Sequence, residues 1–191
     1  AKVSPRDRAP WVEPMALALK HLHQQPIPEG LPGDLIHRSD LSYRLPRFHT
    51  QWAETQAAAR DQQQQLPEQA IAQLLGLLHG IADTEDKASK HANLPRYLLH
   101  GDLYIRHLML NEQNALTGLI DWGDTHQGDI ATDLGIVYSA LPPELHDPFW
   151  RDYGPVSEVT KRKAQFRALY SCIYIYRYGL DIHDQALVRE G

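Results

Sequence analysis

Along most of the chain, apolar residues recur at intervals of three and four, which is the spacing of one face of an α-helix. Met15, Ala18, Leu19 and Leu22 form the first such set and predict a helix that ends near Gln24. The same criterion predicts further helices over 47–65, from Pro67 to about Ile81, from Asp129 to about Ala140, near 144–152 and from Ser157 to the region of Gly179. Between them we expect an extended lead-in at 1–10, a break at Pro46 and a polar connector at 83–96.

Apolar runs of strand length lie in the middle of the chain. Residues 97–99, 107–110 and 116–120 predict three short strands, and the Asn, Glu and Gln residues between the last two predict a turn. We interpret these runs as one small β-hairpin, followed by a turn through 123–128. Because so few strand residues cannot form a core of their own, they must pack on the helices, which predicts a mostly helical α+β protein.

Composition and charge exclude several classes of protein. The chain has 191 residues, of which 42 % are hydrophobic and 23 % charged, values typical of a soluble globular protein. The 19 basic and 24 acidic residues give a net charge of −5, and without a basic stripe we expect no nucleic-acid partner. No apolar run reaches the length of a membrane span, about 18–20 residues. The single cysteine excludes an internal disulfide, and with no signal-type segment at Ala1–Trp11 we expect a cytoplasmic protein.

Two acidic residues and a histidine follow the central apolar runs. Asp102 comes directly after Gly101, which allows a tight turn and leaves the carboxylate accessible to accept or orient the proton of a hydroxyl. Asp121 ends an apolar run, where a buried carboxylate is costly unless it is paired or bound to a cation such as Mg²⁺. His107 opens the next strand and could supply a second ligand to the same ion. The pattern predicts a metal- and hydroxyl-binding site of the kind that transfers phosphoryl groups.

Structural roles are also open for several of these residues. A single Asp at the end of a strand is usually a turn former. His100 is expected to orient the loop through a backbone hydrogen bond rather than act as a base, and Asp129 is expected to cap the helix that follows it. Asp133, one turn later, could point back and accept amide hydrogens from the loop 100–102. The occurrence of all these residues in one short stretch favours the functional interpretation.

The segment YLLHGDLYIRHLML…LTGLIDWGDTHQGDIATDLG resembles the antibiotic phosphotransferase family, which includes aminoglycoside and macrolide phosphotransferases and choline kinases. The family pattern is H-G-D, four residues, Asn, then I-D and a later G-D…D-L. All of it is present except that His107 stands where most members have Asn. The macrolide branch is similar to this chain in having His at that position and T-G-hydrophobic-I-D-W downstream. The resemblance therefore leans toward that branch, without identifying a macrolide as the substrate.

The resemblance implies a protein-kinase-like fold and a role for each motif residue. Asp102 would be the catalytic base or the acid that orients the acceptor hydroxyl, and Asp121 would be the main Mg²⁺ ligand, bridging the phosphates of the nucleotide. His107 would take the second metal position. Since an imidazole is a less natural Mg²⁺ ligand than an amide oxygen, a hydrogen bond from His107 to phosphate or to Asp102 is the alternative.

Other residues near the motifs would serve the substrates or the loop. Arg106 would reach the transferred phosphate or, alternatively, face solvent. Asp124, just past the metal site, would face the acceptor substrate. His100, Asp129 and Asp133 would brace the loop that carries the catalytic acid.

Members of the family also have an N-terminal lobe, with a loop that covers the phosphates, a Lys on the α- and β-phosphates and a Glu that pairs with this Lys. Residues 1–96 show none of these features, and the resemblance covers 11 to about 180. We therefore expect a kinase-like C-terminal lobe over 11–191, after a lead-in at 1–10. Its parts would be a helical subdomain at 11–96, the catalytic and metal hairpin at 97–128 and C-terminal helices at 129–191.

The function expected from the resemblance is that of an ATP- or GTP-dependent O-phosphotransferase, assisted by Mg²⁺, that acts on a small-molecule hydroxyl. We expect this chain alone to have little activity. The main alternative is a non-catalytic binding or scaffold module that lacks the nucleotide-binding lobe. A metal-dependent hydrolase using Asp102, His107 and Asp121 is a third interpretation, and it predicts metal binding without nucleotide.

Overall fold

The computed structural model describes residues 3–88 and 95–190, with side chains over 3–84 and 95–188. Two short 3-10 turns, Pro5–Asp7 and Ala9–Trp11, come first. The helices of the described chain are α1 (Val12–His23), α2 (Leu41–Asp61), α3 (Glu68–Ala88), α4 (Ala131–Ala140), α5 (His146–Tyr153), α6 (Glu158–Asp181) and α7 (Gln185–Glu190). Its strands are β1 (Tyr97–Leu99), β2 (Leu108–Leu110), β3 (Leu116–Leu119) and β4 (His126–Gly128).

Helices α1 and α6 lie where the apolar spacing predicts them. In α1, Met15 and Leu19 are completely buried, as expected for the apolar face of the helix. α6 begins after Ser157, whose hydroxyl accepts the amide hydrogen of Thr160 at 3.0 Å. This N-cap satisfies one of the free amide groups of the first turn and fixes the start of the helix.

The sequence predicts that α6 ends near Gly179. In the structure this glycine lies within the helix and makes room for α7. A Cβ at this position would lie 2.7 Å from the amide nitrogen of Val188. The apolar side chains of Leu187 and Val188 are buried against this part of α6. The glycine therefore serves the close packing of two helices rather than a helix end.

The predicted break at Pro46 is wrong, because α2 runs through the proline from Leu41 to Asp61. The carboxylate of Asp40 accepts the amide hydrogen of Tyr43 at 3.1 Å and starts the helix ahead of the proline. Since proline lacks an N–H group, the helix gives up one bond to the carbonyl of Ser42. Ser42 is exposed, so water can take the place of that bond.

Two other predicted segments differ from the structure. Residues 83–88 of the predicted connector belong to α3, and residues 89–94 lie outside the described chain. The described part of the lead-in forms 3-10 turns rather than extended chain. Each turn has a proline, Pro5 or Pro10, in its first two positions, where a fixed φ favours helical geometry.

The strands form two separate two-stranded sheets in the described chain, not the single hairpin that the sequence predicts. β2 and β3 form the expected antiparallel hairpin, with Leu108 opposite Leu119. β1 pairs instead with β4, with Leu99 opposite His126. The sequence predicts a turn at β4 because this segment has no alternation of apolar and polar residues. The second pairing places the segment after β3 beside the loop that follows β1.

Three apolar clusters hold the described elements together, and the smallest joins α2, α6 and α7 through Ala59, Leu180 and Val188. The first includes Leu19 of α1, Leu134 of α4 and Leu103, which lies just after the H-G-D motif. The second joins α2, α3 and α6 through residues such as Phe48 and Phe166. α6 packs on α2, α3, α4 and α7 and so borders all three clusters. None of the described helices has both the length and the apolar character needed to cross a membrane.

Candidate active site

The loop after β1 carries Asp102 and runs very close to the start of β4. Gly101 has a φ of +90°. A Cβ at this position would lie 2.2 Å from the carbonyl oxygen of Asp124 and 2.6 Å from the ring of His126. Both the backbone conformation and the space therefore require glycine. The turn leaves the side chain of Asp102 42 % exposed.

Asp133 of α4 is fully buried and holds this loop by its backbone. Its two oxygens accept the amide hydrogens of His100 at 2.8 Å and of Gly101 at 2.9 Å, which is the contact that the sequence predicts. The ring of His23 lies 3.2 Å from the same carboxylate. Burial alone would raise the pKa of Asp133, but His23 and the two amides lower it below its usual value, so the carboxylate stays ionised.

His23 and Tyr153 belong to this network and were missed by sequence reasoning. The hydroxyl of Tyr153 lies 2.7 Å from Nδ1 of His23. Burial, with Tyr97 and Asp133 nearby, raises the pKa of Tyr153, so the phenol keeps its proton. Nε2 of His23 carries a hydrogen and donates it to Asp133, because an ionised carboxylate can only accept. These residues are far apart in the chain, and no local spacing marks them.

His100 is completely buried and ties the loop to the end of β3. Its Nε2 lies 2.9 Å from the carbonyl oxygen of Ile120. Its ring centroid lies 4.7 Å from that of Trp122. The predicted hydrogen bond to a backbone carbonyl is therefore present, and the ring is completely buried.

His107 connects the two predicted acids through its two ring nitrogens. Nδ1 lies 2.7 Å from the carbonyl oxygen of Asp102, and Nε2 lies 3.2 Å from a carboxylate oxygen of Asp121. Because a carbonyl can only accept, Nδ1 carries a hydrogen. Nε2 then faces Asp121 either with a second hydrogen or with a lone pair that can bind a cation. The structure thus brings together three residues that the sequence places in the site.

Asp121 is not the buried carboxylate that the sequence predicts. Its side chain is 66 % exposed, and the preceding Ile120 is also exposed. Asp121 has a left-handed backbone, with φ of +67°, a conformation that Asp adopts more readily than most residues. The argument for a cation from the cost of burial is therefore wrong. The case for a cation depends instead on the position of the carboxylate beside His107.

Two arginines missed by sequence reasoning reach the predicted acids. Nη2 of Arg38 lies 2.7 Å from the carboxylate of Asp124. Nη2 of Arg167, on α6, lies 3.5 Å from Oδ1 of Asp102. Arg106, the arginine that the resemblance places near phosphate, is exposed on the short 3-10 turn Ile105–His107. Positive charge therefore approaches Asp102 from α6.

Asp129 caps α4 and also joins it to α6. Its carboxylate accepts the amide hydrogen of Ala131, the first residue of α4, at 2.9 Å. It also lies 2.6 Å from the ammonium group of Lys163 on α6. The residue thus makes the expected cap and, in addition, an ion pair between the two helices behind the loop.

The donors beside the loop form an open pair rather than a closed metal site. Among the described residues, no group of three or more His, Cys, Asp or Glu side chains is arranged to hold a metal ion. The available donors are one exposed carboxylate, from Asp121, and one imidazole nitrogen, from His107. Mg²⁺ usually takes one or two carboxylates from the protein and its remaining ligands from water and substrate phosphates, and the exposed carboxylate of Asp121 fits that use.

Three solved structures illustrate the similarity of this chain to known folds. The gentamicin complex of APH(2")-IIa is 21 % identical, with a TM-score of 0.51 over 99 % of this chain and 62 % of that chain. Macrolide 2'-phosphotransferase type I is 19 % identical, with a TM-score of 0.56 over 98 % of this chain and 59 % of that chain. The GDP complex of aminoglycoside 2'-phosphotransferase-IIIa is 20 % identical, with a TM-score of 0.53 over 96 % of this chain and 59 % of that chain. At these identities the similarity establishes the fold.

The chain spans 59–62 % of the length of these three proteins. No curated protein sequence matches it. A protein-family model with the description "phosphotransferase enzyme family" matches residues 1–166, which is most of the chain. The motifs on the loop after β1 and at the end of β3 lie within this match. The protein therefore belongs to the phosphotransferase enzyme family.

Proposed function

We propose that the chain is the part of a small-molecule O-phosphotransferase that carries the catalytic acid and the metal ligands, corresponding to a kinase-like C-terminal lobe. The whole enzyme would transfer the γ-phosphate of ATP or GTP to a substrate hydroxyl with the help of Mg²⁺. The observation that supports this most is that His107 lies 2.7 Å from the backbone of Asp102 and 3.2 Å from the carboxylate of Asp121. His107 thus links the backbone of the proposed hydroxyl-binding acid to the carboxylate of the proposed cation ligand.

In the proposed reaction, the acceptor oxygen forms a bond to the γ-phosphorus while the bond from that phosphorus to the β,γ-bridging oxygen breaks. The nucleoside diphosphate leaves, and Asp102 accepts the proton of the hydroxyl or orients it. The backbone of Asp102 is fixed by the neighbouring bonds to Asp133 and by the ring of His107. The carboxylate is therefore positioned before substrate arrives, which is what efficient transfer requires.

Asp121 and His107 are the residues that would hold the metal. The Asp121 oxygen and Nε2 of His107 lie 3.2 Å apart, so both could face the same ion. When bound, Mg²⁺ would neutralise charge on the phosphates. A hydrogen bond from His107 to a phosphate is the alternative, because its other nitrogen is engaged by Asp102.

The nucleotide and acceptor assignments have separate support. A GDP complex of a similar fold favours a nucleoside triphosphate as the donor. Arg106, exposed and next to His107 in the chain, would contact the transferred phosphate. Asp124 would lie on the acceptor side of Asp102, where Arg38 also reaches it.

Calorimetric titration of the chain with Mg²⁺–ATP and Mg²⁺–GTP tests this proposal. We expect at least one of them to bind, and we expect Asp121→Ala to weaken that binding by about tenfold or more, since a charged contact is lost. Asp147→Ala, which removes an exposed acid in the first turn of α5, is the matched control and should leave the affinity unchanged.

The titration also separates the alternatives. Equal affinities in the two variants would overturn the role of Asp121. Failure of both nucleotides to bind would favour a non-catalytic module, and Mg²⁺ binding without nucleotide would favour a metal-dependent hydrolase.

A further inference from the structure

Charged side chains gather on the side of Asp102 that faces the segment 34–44. We call this group the acceptor-side cluster, and its members are Asp34, Arg38, Arg44, Asp124 and Arg167. Their arrangement is informative because the carboxylates and the guanidinium groups are not paired one to one. The uneven pairing indicates which kind of charge a ligand would bring to this surface.

Arg38 is the partner of both carboxylates of the cluster. Its Nη2 lies 2.7 Å from Asp124, and its Nη1 lies 3.5 Å from Asp34. The side chain of Arg38 is only 9 % exposed, whereas its partners Asp34 and Asp124 are 14 % and 53 % exposed. Each carboxylate thus already has a cationic partner, and the cluster offers a cationic ligand little attraction.

The positive charge of Arg44 is not balanced by any acid among its described hydrogen-bond partners. The guanidinium donates to the carbonyl oxygens of Ile36 and His37 and to the hydroxyl of Tyr170. These partners are all uncharged. Arg44 therefore fixes the segment before α2, and no direct acidic partner neutralises its charge among these contacts.

Arg167 uses little of its capacity to form hydrogen bonds. A guanidinium has five N–H donors. Within the described structure, the acceptor contact of this group is the one to Oδ1 of Asp102, at a long 3.5 Å. The side chain is 18 % exposed and passes over Gly135 of α4, where a Cβ would lie 3.0 Å from its Cγ. The group is held firmly against the helices with donors left for a ligand.

The charged groups that act on the pKa of Arg167 belong to Asp102 and to the acceptor-side cluster. Burial lowers the pKa of the Arg167 guanidinium. The carboxylate of Asp102 raises it, the positive charges of Arg38 and Arg44 lower it further, and the carboxylate of Asp34 raises it. Apart from Asp102, the groups that act on Arg167 thus come from the segment 34–44. An anion bound to Arg167 would offset the cost of burying its charge and would reduce the repulsion among the three arginines.

We infer that Arg167 binds an anionic group of the acceptor, a carboxylate or a phosphate, beside the hydroxyl that faces Asp102. The inference rests on the proposed function, which places the acceptor hydroxyl at Asp102. The planar guanidinium matches either anion in a two-pronged hydrogen bond.

The test is an NMR titration of the ¹⁵N-labelled chain without metal or nucleotide, so that the pair Asp121 and His107 does not take up phosphate. The probes are glycerol 3-phosphate and D-glycerate, which pair a hydroxyl with a phosphate or a carboxylate. Glycerol, which has no charge, and spermidine, which is a polycation, are the comparison probes. The Nε–H signal of Arg167 reports binding at the guanidinium, and the amide signals of Asp102 and Leu103 report the affinity in each variant.

We expect saturable shifts of the Arg167 signal with at least one anionic probe, and none with glycerol or spermidine. Arg167→Lys keeps the positive charge but cannot form the two-pronged hydrogen bond of a guanidinium, and it should weaken anion binding about tenfold. Arg162→Lys is the matched control on the same helix, where Arg162 bonds Gln165, and it should have no effect. Asp102→Asn removes a negative charge 3.5 Å from the guanidinium and should strengthen anion binding severalfold.

An Arg167 signal that does not move with either anion would overturn the inference, as would equal shifts with spermidine. If Arg167→Lys fails to fold, the wild-type signal and Asp102→Asn still decide the question. A response to one anion alone identifies the carboxylate or the phosphate as the recognised group. Because the titration excludes nucleotide, anion binding can be absent while Mg²⁺–nucleotide still binds at Asp121, and this result would overturn only the inference. Anion binding at Arg167 without any Mg²⁺–nucleotide binding would remove the proposed function but keep the anion site.

Discussion

Replacing Gly101 by alanine is expected to destabilise the protein more than the same change at Gly30. The two glycines have similar backbone conformations, with φ of +90° and +78°, which alanine rarely adopts. A Cβ at Gly30 would have no heavy atom within 4 Å, whereas a Cβ at Gly101 would lie 2.2 Å from the carbonyl oxygen of Asp124. The two variants therefore share backbone strain and differ in the steric clash.

The magnitude follows from these two contributions. Backbone strain should lower the free energy of unfolding by about 1–2 kcal/mol in either variant. At Gly101 the clashing atom belongs to the backbone, so relief requires the chain near Asp124 to move, at a further cost of about 1–3 kcal/mol. We expect losses of about 1–2 kcal/mol for Gly30→Ala and about 2–5 kcal/mol for Gly101→Ala.

Urea unfolding followed by tryptophan fluorescence measures both losses, and similar m-values would show that the two transitions are comparable. Amide shifts in Gly101→Ala should be centred on Asp124 and His126, whose backbone and ring lie nearest to the added methyl group. Equal losses in the two variants would refute the close approach of the loop after β1 to the start of β4. That result would leave the positive φ as the one remaining physical reason for glycine in the H-G-D motif of this chain.

Two further predictions concern the same loop and its neighbour. Because the pKa of Asp133 is lowered in the folded state, its carboxylate stabilises the fold above the ordinary value of 3.8, and this stabilisation is lost as the pH falls through the folded-state pKa. Asp133→Asn should therefore reduce stability near neutral pH and flatten its decline in acid; parallel pH curves from urea titrations of both proteins would contradict this. His107→Asn, which offers an amide oxygen, should keep Mg²⁺–nucleotide affinity within about threefold, whereas His107→Ala should weaken it about tenfold. Calorimetry compares the two, and losses of equal size would exclude metal binding at this position.

The motif residues could be predicted because they are close together in the chain. Asp102, His107 and Asp121 lie within one short stretch, in which strand ends and turns decide which side chains meet. Arg38 and Arg167 could not be predicted, since they reach their acidic partners across 86 and 65 positions. No periodicity in sequence encodes a contact of that kind.

The same distinction applies to the fold. Apolar spacing located the long helices, but their limits depend on partners outside the pattern. The cap at Asp40 carries α2 through Pro46, and the approach of α7 explains Gly179 inside α6. The pairing of β1 with β4 depends on where the chain returns after β3, which short-range patterns do not record.

The polar groups that support the loop are buried, while the two acids assigned to chemistry are exposed. Asp133 is completely buried and binds amide groups, and the buried His100 binds a backbone carbonyl oxygen. The carboxylates of Asp102 and Asp121 are 42 % and 66 % exposed. Removing a buried support leaves a polar group without its partner and is costly, whereas an exposed carboxylate can be replaced at little cost to folding. Substitutions at Asp102 and Asp121 therefore test function, and substitutions at Asp133 test how the loop is held.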